Sequence, residues 1–238
     1  MKQMKHMALG LVAFLITGSV FAQSVDEIVN KHIDAIGGAA NWKKVNSMRM
    51  EANVSAQGMD VPVIISQVHN KASKQEYTVM NMTGYSIITT EGGWNFNPFM
   101  GQTAPEPMTA DEVKAGQEQL DLQGELLDYK AKGHTVEMMG KEDVDGTECY
   151  KLKLTRKSGR ESIYLIDPKT YYIVRSVSKM TLNGQEQSMT VNMSNYQKLP
   201  EGIVVAFTME NGSAPAPINI TKVEVNPKID DAVFKVAK

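Results

Sequence analysis

The residues able to do chemistry are few, and their spacing does not suit it. Beyond residue 22 the chain has three histidines, His32, His69 and His134, and one cysteine, Cys149. No histidine has a second His or a Cys at metal-ligand spacing, so a zinc centre is not expected. Cys149 lies mid-strand with no activating His nearby in sequence, which reads as a small buried apolar residue. Asp143-Val144-Asp145-Gly146 has the first oxygen positions of a calcium loop but lacks the third and the closing Glu, and a hairpin turn accounts for it better. No Gly-x-Ser-x-Gly elbow, phosphate-cradling glycine loop or dinucleotide fingerprint occurs. Neither catalysis nor a cofactor is implied.

Methionine is plentiful instead. Of 16 in the chain, Met1, Met4 and Met7 fall in the first 22 residues and 13 follow. A flexible, polarizable side chain fills irregular gaps in a core, and it also lines cavities that accept varied apolar partners. The count alone leaves both readings open. The positions favour a cavity: Met48, Met50, Met80, Met82, Met180, Met189, Met193 and Met209 alternate with polar or small residues in stretches that read as strands, so many of them should share one sheet face.

The elements that would position them read as follows. Ser24-Val25-Asp26-Glu27 is a Ser-x-x-Glu capping box, and Val25, Ile28, Val29, His32, Ile33 and Ile36 follow at helical spacing until Gly37-Gly38. His32, on the apolar side of that helix, reads as a packed or hydrogen-bonded core histidine. Residues 48–57 then alternate with period two, and 61–69, 75–82 and 85–91 read as three more strands. Residues 92–108 form an aromatic, Pro-containing loop. Thr109-Ala110-Asp111-Glu112 is a second capping box, with Met108 and Val113 set for a hydrophobic staple, and predicts a helix over 109–131 ended by Gly133. From residue 134 onward, short strands are separated by turns at Asp145-Gly146, Ser158-Gly159, Asn183-Gly184 and Asn211-Gly212. The fold class is mainly β (α+β): a strongly curved antiparallel sheet whose concave apolar face is covered by the two helices.

Residues 1–22 read as an export signal, with Lys2 and Lys5 before the apolar run from Ala8 to Phe21 and small residues at the cleavage positions of Val20-Phe21-Ala22. Cleavage after Ala22 would leave residues 23–238 as one domain. No Cys follows the cut, so no lipid anchor is expected, and no later segment is long and apolar enough to span a membrane. A single Cys forms no internal disulfide. The remaining chain counts 23 basic against 27 acidic side chains with no basic stripe, which argues against nucleic acid and anionic membrane surfaces as partners.

One stretch carries a resemblance. Tyr164-Leu165-Ile166-Asp167-Pro168-Lys169-Thr170-Tyr171-Tyr172-Ile173-Val174 reads as strand, turn, strand, and it resembles the LolA/LolB-like outer-membrane lipoprotein-sorting family. Tyr196-Gln197-Lys198-Leu199-Pro200-Glu201-Gly202-Ile203 and the segment from Val225-Asn226-Pro227 through Asp230-Asp231 to Phe234 agree with that family's later elements. In its long aromatic loop and Met-rich strands the chain looks most like divergent members from the Bacteroidetes group. The resemblance implies an incomplete β-barrel around helices, a periplasmic location, and an apolar cavity that takes the acyl chains of lipoproteins or another lipid toward the outer membrane. It also implies an inner-membrane loading partner. The missing anchor Cys matches the soluble carriers. Asn70-Lys71-Ala72 stands where the family's carrier often has an Arg-Pro pair linked to lid opening, so an equivalent lid mechanism is not implied. Regulatory relatives make a periplasmic sensor or protein-interaction module the alternative.

On this reading the cavity residues are Met48, Met50, Val54, Met80, Met82, Met189, Val191 and Met193. Trp94, Phe96, Phe99 and Met100 are expected at the mouth, and a lid helix is expected to turn Val113, Leu120, Leu126 and Leu127 toward the sheet.

Overall fold

The structure is a computed structural model and describes residues 23–56, 59–182, 185–211 and 216–236. The expected leader, residues 1–22, lies outside them, as do Gln57, the Asn183-Gly184 turn and Gly212. Helix α1 (Val25–Ala35) begins where expected: Ser24 Oγ accepts the Glu27 N–H at 3.1 Å. The Glu27 carboxylate does not return to its cap; it accepts from Gln23 Nε2 at 2.9 Å and pairs with Lys31. Ile28, Val29, His32 and Ile33 are buried, each apolar one contributing about 1.5–3 kcal/mol by leaving water. Past Ile36, Gly37 takes φ +110° where the backbone of Gly202 lies against it, and the Val204 N–H donates to the Ile36 carbonyl at 2.8 Å. A short α2 (Ala39–Trp42) follows, with Trp42 Nε1 donating to the same carbonyl at 2.9 Å.

Thirteen strands follow: β1 (Ser47–Ala56), β2 (Met59–Val68), β3 (Ala72–Val79), β4 (Met82–Thr89), β5 (Gly93–Phe96), β6 (Glu106–Pro107), then, after α3 (Ala110–Gln117), β7 (Thr135–Val144), β8 (Thr147–Thr155), β9 (Glu161–Ile166), β10 (Ile173–Leu182), β11 (Gln185–Lys198), β12 (Val204–Asn211) and β13 (Ile218–Val225). They make one antiparallel sheet, ordered β6-β5-β4-β3-β2-β1-β13-β12-β11-β10-β9-β8-β7, curved and unclosed, with β6 and β7 as its edges. The expected fold class is therefore the observed one. The ladder narrows to a waist between β12 and β13, which among the described residues share two residue pairs, Thr208 with Asn219 and Met209 with Ile218.

The ladder also sets the faces. Met50, Ile65, Gln75, Ser86 and Asn95 stand opposite one another across β1 to β5 and so share a face. That face is the inner one. At one end it is filled by α1, Trp42, Val45 and the segment after α3, which pack Met48 with Leu126, Leu127, Leu152, Leu154 and Ile166. On the outer face a 3-10 turn, Asp231–Phe234, lays Phe234 over Ala72 and Ile87.

Three expected elements differ. The helix over 109–131 is α3, a 3-10 turn (Glu118–Leu120) and a run of turns. The Thr109/Glu112 capping box forms on both sides, but Asp121 leaves the helical region at ψ 91° and its carboxylate accepts the Gln123 N–H at 3.0 Å; Gly124 and Asp128 then adopt positive φ. Burial of Leu126 and Leu127 outweighs continuing the helix. The break expected at 83–84 lies instead at Met80-Asn81, whose φ values of 48° and 63° suit a tight hairpin. Gly84 is inside β4 because the Tyr77 ring covers it, 2.5 Å from where a Cβ would stand. The 92–108 loop contains β5 and β6, which extend the sheet.

His32 is a hydrogen-bonded core histidine. Its Nδ1 lies 2.8 Å from the Tyr171 carbonyl, which only accepts, so Nδ1 carries the proton. Burial, opposed by that hydrogen bond, holds its pKa below the ordinary 6.5, and burial also lowers that of His134. The unfolded chain therefore binds protons that the native state refuses, and stability is lost as pH falls below about 6.5. Calorimetry should show the melting temperature dropping from pH 7 to pH 5. His32→Gln should flatten that slope while lowering stability at pH 7; an unchanged slope would remove His32 from the account.

Candidate functional site

The structure divides the expected cavity residues among four places. Met48 is closed within the core beneath α1. Met50 and Val54 belong with Ala52, Val63, Phe207 and Ile220 to a second inner cluster, toward the middle of the sheet. Met189, Val191 and Met193, on β11, are half-buried and belong to none of the buried clusters; Met193 stands opposite Met209 of β12. Met80 and Met82 do not share this face as cavity residues. They flank the β3–β4 turn and are exposed, because the chain reverses there rather than continuing a strand.

The expected mouth is split as well. Ladder pairing sets Trp94 opposite Ile87 and Phe96 opposite Tyr85, which puts both on the outer face. Trp94 packs near Ile87 and Phe234, and the Phe96 ring lies 5.5 Å from that of Tyr85. Gly93 and Asn95 are the inward residues of β5. Phe99 does reach the inner side, its ring 5.8 Å from Tyr77, while Met100 projects outward. Of the lid residues, Val113 is half-buried on α3, Leu120 is buried in the 3-10 turn, and Leu126 and Leu127 are core residues beyond the helix.

α3 is seated closely on the inner face. Gly116 fits against Ile88, whose side-chain carbons would lie 2.6 Å from an added Cβ, and Gln117 Nε2 donates to the carbonyls of Thr89 and Thr90 at 3.0 Å. Beside it is a cavity of about 690 Å³ bounded by α3, by Ser86, Ile88 and Asn95, and by Arg160 and Glu161 at the start of β9. Ile88, Met108 and Ala115 give it an apolar part, nine of its fourteen lining residues carry polar or charged side chains, and none of the expected cavity methionines borders it.

An ion-pair network that sequence pattern does not single out ties the segment after α3 to β8 and β9. Arg156 donates to Glu125 through Nε at 2.7 Å and through Nη2, and Nη2 also reaches Ser162 Oγ at 3.0 Å. Tyr164 donates to the second Glu125 oxygen at 2.7 Å, and Arg160 donates to Glu118 at 2.8 Å. Burial, then the adjacent Glu125 carboxylate, pushes the Tyr164 phenol well above its ordinary range, so it stays a donor. Glu118 Oε1 and Arg156 Nη1 have no hydrogen-bond partner among the described residues. Its only trace in sequence is that two of the chain's four arginines stand four apart in one turn. Among the described residues no group of His, Cys, Asp and Glu could hold a metal ion, and no helix is long and apolar enough to cross a membrane.

No family model matches the chain, and no curated protein matches it in sequence. Solved structures do match in fold. A LolA superfamily protein from Nitrosomonas europaea superposes with a TM-score of 0.54 at 10% identity, over 87% of this chain and 96% of that one. An outer membrane lipoprotein-sorting protein domain from Vibrio parahaemolyticus gives 0.51 at 15% identity, over 88% and 95%. A DUF1329 family protein from Desulfovibrio piger gives 0.51 at 12% identity, over 90% and 98%. The chain has a LolA-like fold.

Proposed function

We propose that the protein is a periplasmic carrier, with residues 23–238 acting as one unit after cleavage behind Ala22, and that it holds acyl chains of lipoproteins or of another lipid against its inner face without performing chemistry. The observation that carries this reading is the uneven filling of that face. Around Met48 it is packed shut by α1 and the segment after α3, whereas Met189, Val191 and Met193 stay half-buried outside the core. The LolA-like fold supports it, since a solved structure of that fold carries the name of a lipoprotein-sorting domain. Each methylene moved from water onto such a surface contributes about 0.8 kcal/mol, so a few acyl chains suffice for firm binding. α3, bordering the cavity and seated on Ile88 through Gly116, would move aside to admit them. An inner-membrane protein would load the carrier.

Native mass spectrometry of protein purified from an envelope extract should find bound lipid, and a fluorescent acyl probe should bind the delipidated protein. Val191→Asp should weaken probe binding by about tenfold or more, because a carboxylate would lie against the chain, with the melting temperature little changed. A protein free of lipid that takes up no acyl probe would overturn the carrier reading.

A further inference from the structure

One ladder row on the inner face changes character from end to end. Met50, Ile65, Gln75, Ser86 and Asn95 stand opposite one another across β1 to β5, so the row opens apolar and ends on a hydroxyl and two amides. Met50 packs in the inner cluster with Ala52 and Val63, whereas Ser86 and Asn95 border the cavity of about 690 Å³ beside α3. That volume falls within the roughly 300–1,000 Å³ of ordinary small-molecule sites. A row built only to pack would stay apolar to its end. Gln75, Ser86 and Asn95 forgo that burial, and no side-chain hydrogen bond among the described residues engages any of the three.

The charged groups of the cavity set no net sign. Asp111, Glu112 and Glu161 line it together with Lys114, Arg160 and Lys179. Several of these are engaged within the protein: Glu112 accepts the Thr109 N–H at 2.8 Å, Arg160 donates to Glu118 at 2.8 Å, and Glu161 lies 3.4 Å from Lys153. Beside Arg160, Glu118 Oε1 and Arg156 Nη1 leave one acceptor and one donor without a partner among the described residues. An anionic ligand would meet three carboxylates here, and a cationic one three cations. A hydroxyl both donates and accepts, so it suits this lining, and the C–H face of a sugar ring suits Ile88, Met108 and Ala115.

We infer that this cavity is a subsite for an uncharged, polyhydroxylated group of the sugar class, hydrogen-bonded by Ser86 and Asn95 and laid against Ile88 and Met108. In the carrier that group is the headgroup of the cargo lipid, whose chain runs along the row toward Ile65 and Met50. Only this second step rests on the carrier reading, because a sugar carrying no acyl chain tests the subsite alone.

Competition against the fluorescent acyl probe, with ligands of one chain length kept below their micelle concentrations, tests it. Dodecyl maltoside should displace the probe at about tenfold lower concentration than dodecylphosphocholine or dodecanoate. Ser86→Ala and Asn95→Ala should each weaken dodecyl maltoside binding about threefold to tenfold. Neither should alter the other two ligands or the melting temperature, since neither side chain is hydrogen-bonded within the described protein. In NMR titrations dodecyl maltoside should shift the amide signals of Ser86, Asn95 and Gln119. Maltose alone shifting the same signals would identify a free sugar as a sufficient ligand. If the protein takes up no acyl ligand yet maltose still shifts them, the subsite stands and the carrier reading falls. Equal displacement by all three ligands, a preference for a charged headgroup, a maltoside preference that both alanine variants keep, or signals that neither sugar ligand shifts would each overturn the subsite.

Discussion

Gly37→Ala should destabilise the protein by about 3–5 kcal/mol, lowering its melting temperature by roughly 10 °C. A Cβ at this position would stand 2.2 Å from the Gly202 carbonyl oxygen and 2.7 Å from the Ile203 Cα. Both are backbone atoms, so no rotamer change relieves the clash. The φ of +110° adds strain for any residue with a side chain. Relief requires α1 to lift off β12, breaking the hydrogen bond from Val204 to Ile36 and loosening the packing of Ile33 and Ile203. Gly38→Ala is the control. Its φ of +84° is also left-handed, yet nothing lies within 4 Å of the added Cβ, so it should cost only about 1–2 kcal/mol. Urea unfolding of the two variants separates backbone strain from the close approach. Equal losses would mean that the approach of the two chain segments contributes nothing.

Glu125→Ala should cost about 3–5 kcal/mol, because it leaves the nearly buried Arg156 guanidinium and the Tyr164 hydroxyl without their acceptor. Glu118 sits 3.7 Å from Arg156 Nε and compensates only in part. Glu125→Gln should lose less, since its amide oxygen still accepts from one partner. Replacing both ends, with Glu125→Leu and Arg156→Met, should recover much of the loss, as a matched apolar pair removes the buried charge outright. A double-mutant cycle by equilibrium unfolding measures the coupling. Hydrogen exchange should also rise through Ala110–Leu120 in Glu125→Ala, since the network anchors the segment that holds α3 in place. Unaltered protection there would show that α3 is held by Ile88 and the Gln117 hydrogen bonds alone.

Local chemistry was the legible part of this chain. Ser24 and the Thr109/Glu112 pair mark two helix starts because a side-chain oxygen within three residues of a free N–H is information contained in a few adjacent letters. Asp145-Gly146 marks its hairpin for the same reason, and the strand-turn-strand at 164–174 pointed to the fold that the solved structures share. Facing was not legible. Alternation separates Trp94 and Phe96 from Gly93 and Asn95, but only pairing with β4, and Phe234 arriving from 140 residues later, decides which pair looks outward. Leu120, Leu126 and Leu127 read as the sheet-facing side of a lid helix; all three are buried, but a 3-10 turn and later turns deliver them rather than that helix, because burial constrains position more tightly than backbone conformation. Met80 shows the opposite failure: its alternation with Asn81 and Met82 resembles a strand, and the reversal there uses left-handed backbone that no glycine announces.

The two-pair waist between β12 and β13 makes the sheet a book with a short spine. Seven strands form one cover and six the other, each bound internally by long ladders, and the spine between them is a pair of rungs near Met209 and Ile218. Swinging the covers about those rungs changes the girth of the space between them while disturbing few main-chain hydrogen bonds. Met50, Val205, Phe207 and Val223 line the fold on either side of the spine, and their inner cluster is the padding that such a swing would compress or release. On the proposed carrier reading, a sheet built this way would fit acyl cargo of different thickness by changing one angle, with no need to remodel its walls.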